Sequence, residues 1–135
     1  MILPTRAVSN ALNARIAAAT SLPVAWPNVP FTRPADGSAY LWVQIARLAR
    51  DDATLGGETP DERGRLVLTI VAPNDSGAGT HEDTADALAA AFPARSGETV
   101  ADAYVQFDTA AVLAPETIDG LWQQPVVIPF RVHPS

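Results

Sequence analysis

Apolar residues recur along the chain with two periods, and the switches between them mark the elements. From Pro4 to Thr20, Val8, Leu12 and Ile16 stand four residues apart among Ala7, Ala11, Ala18 and Ala19, which places a narrow apolar stripe on a helix. Pro4 suits the first turn, where its missing N–H has no partner to lose, and Pro23 ends the helix. The alanines let this helix lie close to a sheet or to a neighbouring chain. Ala85, Leu88, Ala89 and Phe92 follow i, i+3, i+4, i+7 and predict a second helix, closed by Pro93. Thr80 with Asp83 resembles a capping box at its start, and Glu82, Asp83 and Asp86 sit where the positive helix end favours anions.

Elsewhere the period is two. Tyr40 to Arg50 alternates Leu41, Val43 and Ile45 with Tyr40, Trp42 and Gln44, a strand with two usable faces. Arg65 to Ala72 is apolar on both faces, as a central strand would be. Asp51 to Gly64, with Leu55 its single large apolar residue, reads as a solvated acidic loop that joins these strands into one long hairpin. Thr99 to Phe107 and Val126 to Val132 read as two more strands. In the last, Pro125 and Pro129 predict an edge position or a bend, since neither can donate to a ladder. Asp119-Gly120 predicts a tight reversal inside the turn-rich connection 108–124, whose ends could extend the pairing. From 21 to 37, four prolines forbid regular helix, while Trp26 and Phe31 pin an extended crossing onto the domain, each ring contributing on the order of 2 kcal/mol.

The order helix, crossing, strand, strand, helix, strand, strand predicts one α+β domain spanning 1–135: an antiparallel or mixed sheet of about four to five strands with two helices on one face.

Composition narrows the chemistry. The chain has 135 residues, 47% of them apolar, enough to close a core. Nine arginines and no lysine stand against fifteen carboxylates, a net charge of −6 that disfavours a phosphate-gripping surface. Without cysteine there is no disulfide, thiolate metal site or cysteine nucleophile. No apolar run is long enough to span a bilayer and no signal-peptide pattern opens the chain, so a soluble, unsecreted protein without membrane partners is expected.

Candidate catalytic groups are sparse. His81 beside Glu82 and Asp83 suggests a metal or acid–base site, but neighbours on a helix point about 100° apart, and a solvated first turn with a favourable charge pattern accounts for them better. Asn74 to Thr80 opens a helix without the glycine pattern or lysine of a phosphate loop. Asp51, Asp52, Glu58, Asp61 and Glu62 do not follow calcium-loop spacing. No G-x-S-x-G element occurs, and His133 lies next to the C-terminus. No catalytic, metal or cofactor site is expected, which leaves a small acidic hydrolase or metal enzyme as the weakest reading. Contact surfaces are the better candidates. Tyr40, Trp42 and nearby Trp122 form either an exposed aromatic patch or a row covered by a helix or by the crossing segment.

Taken together, the first helix, Trp26-Pro27-Asn28 with Phe31, the strand from Tyr40, Leu55-Gly56-Gly57 before Gly64, Gly77 and Gly79 before the second helix, and Asp119-Gly120-Trp122 before the last strand resemble the tail-terminator, or tail-completion, proteins of long-tailed bacteriophages and prophages. The resemblance spans nearly the whole chain and rests on structural positions. It implies an α+β virion subunit, assembled in the host cytoplasm, that forms a homo-hexameric ring at the head-proximal end of the tail tube, stops tube polymerisation, and meets the head-completion or connector protein. Another head–tail connector, adaptor or tube-capping protein is the alternative. Double-stranded DNA would pass through the lumen without specific binding, and an acidic ring would let it slide. The expected interface residues are Val8, Leu12, Tyr40, Trp42, Asp51, Asp52, Leu55, Glu58, Asp61, Glu62 and Trp122, with the 51–64 loop touching the tube or lining the lumen.

Overall fold

Period-two alternation builds a single mixed sheet, and the two helical stripes close over one of its faces. The computed structural model describes residues 3–52, 60–74, 77 and 79–134, with backbone alone at 49–52 and 60. In chain order these form α1 (Thr5–Ala19), β1 (Val24–Ala25), β2 (Tyr40–Asp52), β3 (Pro60–Pro73), α2 (Gly79–Ala90), β4 (Gly97–Val100), β5 (Ala103–Phe107), β6 (Ala111–Val112), β7 (Glu116–Ile118) and β8 (Leu121–Pro134). The sheet runs β1-β2-β3-β8-β5-β4, and β6 and β7 also pair with β8. β1 is parallel to β2, and the other pairings are antiparallel. The α+β class stands, with eight strands among the described residues instead of four or five.

Three sequence signals were incomplete. The strand expected over 99–107 is a hairpin, because Ala101 takes the left-handed conformation (φ 51°) and turns the chain between Val100 and Ala103. Half of the stretch expected as an acidic loop, 51–52 and 60–64, is strand. β2 and β3 remain paired out to Asp52↔Pro60, so only 53–59, including Leu55 and Glu58, could be loop, and these lie outside the described residues. The last strand is central, held by β3 on one side and by β5, β6 and β7 in turn on the other. Pro125 and Pro129 sit where that second partner is interrupted. The expected reversal is a two-residue turn between Ile118 and Leu121, with Asp119 (φ 53°) and Gly120 (φ 76°) both left-handed as such a turn requires.

Val8, Leu12 and Ile16 of α1 and Ala85 and Leu88 of α2 pack with Phe92 on the inner row Leu41, Val43, Leu66, Leu68, Ile70, Val126 and Ile128. Val8 and Leu12 are thus core residues, buried on their own sheet and not available to a neighbour. An apolar stripe looks the same in sequence whichever it faces. Arg15 clamps the layer: its guanidinium lies 4.9 Å from the Phe107 ring centroid, Nε donates to Glu98 at 3.2 Å, and Nη1 donates to the Ala91 carbonyl at 3.2 Å. α1 ends at Ala19, ahead of Pro23, and α2 begins at Gly79, so Thr80 lies inside the helix and not at its cap.

The crossing segment is ordered. Val29 N–H donates to the Trp26 carbonyl at 3.3 Å with Asn28 at φ 56°, a turn set by Pro27, and Trp26 packs against the core. The Phe31 ring lies 5.0 Å from that of Tyr40. Ser38 N–H donates to Asp36 at 2.9 Å, and this bond holds the exposed Asp36 carboxyl below its ordinary value. No helix among the described residues is long and apolar enough to cross a membrane.

Candidate functional site

Alternation fixes which side chains of the sheet face away from the helices. On β3 the inner row Gly64, Leu66, Leu68 and Ile70 leaves Arg63, Arg65, Val67 and Thr69 outward, and on β8 the inner row Val126, Ile128 and Phe130 leaves Val127, Pro129 and Arg131 outward. Trp42, opposite Thr69, extends this outer face onto β2 and is 43% exposed. Along this face Trp42, Arg63, Arg65 and Arg131 are exposed, while Thr69 is buried and Val67, Val127 and Pro129 are half-buried. The aromatic row therefore divides. Trp42 is open, Tyr40 is half-buried under Phe31, and Trp122 lies on the other side of the sheet, its ring 5.1 Å from His81. Trp122 is thus corrected from the outward row to the helix side, because residue 122 has the inner parity of 124 and 126.

Arginines gather at one end of the outer face. Arg63 stands directly across from Arg131, and Arg65 follows two residues along β3. All three are exposed, and none makes an ion pair or hydrogen bond among the described residues. Like charges in direct register are unfavourable. A cleft of about 430 Å³ opens at Arg63 and Arg131, lined also by Leu48, Gln106, Asp108 and Pro129. Leu48 is the extra residue of a β-bulge between Arg47 and Ala49 and is 60% exposed. Sequence reasoning missed this cluster because it assigned Arg63 to a loop; extending the Arg65 alternation back by two residues is the signal that finds it.

The carboxylates expected at the hairpin behave differently from one another. Glu62 is 4% exposed and accepts from Arg47 Nε at 2.9 Å, while Arg47 Nη2 donates to Ser9 Oγ at 2.7 Å and to the Thr5 carbonyl at 3.2 Å. That network ties α1 to the hairpin, so Glu62 is structural and not a solvated loop charge. Asp61 Oδ1 is buried with no hydrogen-bond partner among the described residues. Asp51 and Asp52 lie on the β2 backbone opposite Asp61 and Pro60, beyond Glu62↔Val132, the last pair of β3 with β8. The hairpin therefore extends past the body of the sheet.

The other charged surface belongs to α2. His81, Ala85 and Leu88 face inward, leaving Glu82, Asp83 and Asp86 exposed on its outer side. His81 is buried beside Trp122, pointing away from those carboxylates, which departs from both the metal site and the solvated turn. Among the described residues no three His, Asp or Glu side chains gather as a metal ion would require.

The chain thus offers faces more than a reaction centre. The family model described as phage tail terminator protein matches residues 7–130. The chain belongs to the phage tail terminator family. Its members are structural proteins of the tail, and this terminator is accordingly a virion component associated with other tail proteins. A solved structure is similar to the terminator throughout, with 26% identity over 97% of this chain and 96% of that one and a TM-score of 0.79. No curated protein matches the sequence significantly.

Proposed function

We propose that this terminator forms a ring, six copies around, at the head-proximal end of the tail tube, where it stops tube growth and presents its far side to the head-completion or connector protein. The observation that carries this reading is the family match over residues 7–130. The surfaces are consistent with it: an outer sheet face with an exposed tryptophan and three exposed arginines, an acidic outer helix, and a hairpin whose end extends beyond the sheet. Six copies would carry a net charge of about −36, which repels duplex DNA and lets it pass through the lumen unheld. The hairpin end, with Asp51, Asp52, Leu55, Glu58 and Asp61, is our candidate for contact with the tube or the lumen, and Tyr40 and Trp42 for contact between subunits.

Electron microscopy of tails assembled with and without the protein tests the reading. Overlong tubes in its absence, together with an oligomer of about 85 kDa by light scattering when tube protein is supplied, are the expected results. Tails of normal length without the protein overturn it. Recovery of a portal or adaptor protein but no tube protein in a pull-down transfers the role to a head-side connector.

A further inference from the structure

The arginine cluster is the feature that the fold alone leaves unexplained. In a chain with fifteen carboxylates and nine arginines, three arginines share one end of one sheet face with two in direct register, none in an ion pair among the described residues. Intramolecularly that arrangement costs stability. It is relieved when carboxylates arrive from outside.

We infer that the outer sheet face, from Trp42 to Arg63, Arg65 and Arg131, docks on the acidic outer side of α2 of a second copy, at Glu82, Asp83 and Asp86. This rests on the ring reading and assigns the two faces that would meet in it. Three observations carry it. The α2 surface is complementary in charge, with three exposed carboxylates and no cation from Gly79 to Ala90. The two surfaces lie on opposite layers of the molecule, since α2 packs on the inner row and the arginines belong to the outer one. One chain therefore cannot join them within itself. A contact between unlike patches is heterologous, so each added copy repeats it in the same direction, as a ring demands and a two-fold dimer does not. Finally, an exposed tryptophan and unpaired arginines on one sheet face are the residue types enriched at interface centres.

The chain has no cysteine, so a single introduced thiol is unique. Arg131→Cys and Asp86→Cys proteins, mixed with tube protein at low salt and oxidised, should yield a covalent dimer that neither protein forms alone. Arg63→Glu with Arg131→Glu should weaken association by at least about tenfold, and adding Glu82→Arg with Asp86→Arg should restore most of it. Raising the salt should weaken the wild-type contact. A wild-type ring whose mixed thiols do not cross-link overturns the assignment of faces while leaving the ring standing. So does a dimer from Arg131→Cys alone, which would mean that the face packs on itself. Arginine reversals that abolish duplex-DNA binding and leave assembly intact identify nucleic acid as the occupant and overturn the proposal. A wild-type chain that stays monomeric with tube protein present removes the ring reading itself.

Discussion

The backbone N–H of Asp108 donates to the carbonyl of Pro129 at 2.9 Å, and no bond returns, because proline has no N–H. The same half-pair recurs where Leu113 N–H donates to the Pro125 carbonyl at 3.0 Å. After each, the partner strand slips by one residue. Between Phe107↔Phe130 and Ala111↔Val127 it advances four residues against three on β8, and so it does between Val112↔Val126 and Glu116↔Gln123. The prolines thus divide one long pairing into β5, β6 and β7.

Pro129→Ala should shift stability by less than about 1 kcal/mol, because a single hydrogen bond is at stake. Ile128→Pro, which removes the donor facing β3 at Leu66, should abolish folding. Urea denaturation of the two variants checks the contrast, and equal effects would refute the account.

Gly64 lies under the Phe130 ring. A Cβ there would stand 2.5 Å from Phe130 Cζ and 2.7 Å from the Ala46 carbonyl oxygen. Gly64→Ala should cost about 1–3 kcal/mol, and less in a background of Phe130→Leu. A double-mutant cycle by thermal denaturation measures the coupling. Full additivity would mean that the ring does not press on this position.

Arg47→Ala removes the Nε donor from a buried carboxylate and unties α1 from the hairpin. The expected loss is about 1–3 kcal/mol, with faster hydrogen exchange at the start of α1. Unchanged exchange at Thr5 to Ser9 would show that the helix does not depend on this arginine.

Trp42→Ala and Leu12→Ala should separate surface from core. Leu12 is fully buried and should lose about 3 kcal/mol. Trp42→Ala should cost little stability but impair association between copies of the chain. A monomer destabilised as much as by Leu12→Ala would place Trp42 in the fold and not in an interface.

Much of this was readable in the sequence because it is local. The α1 stripe, the Tyr40 alternation, the Asp119-Gly120 turn and the pinning of the crossing by Trp26 and Phe31 all depend on neighbours within a few residues. What was not legible depends on register between distant segments. Nothing near Pro125 says that its partner slips at Leu113, and nothing near Arg63 says that Arg131 lies across from it. Trp122 was assigned to the wrong side because its parity is set by β8 pairing with β3, and Val8 and Leu12 because a stripe does not name its partner. The turn at Ala101 carries no glycine or asparagine to announce it.

The margins of the sheet are short and broken. On one side two residues of β1 sit on β2, whose remaining border is disrupted at Leu48; on the other, β4 is four residues long. Such borders are poor templates for adding another strand. In the ring proposed above, such a subunit would be kept from seeding a fibre of its own, and its partners would approach it broadside.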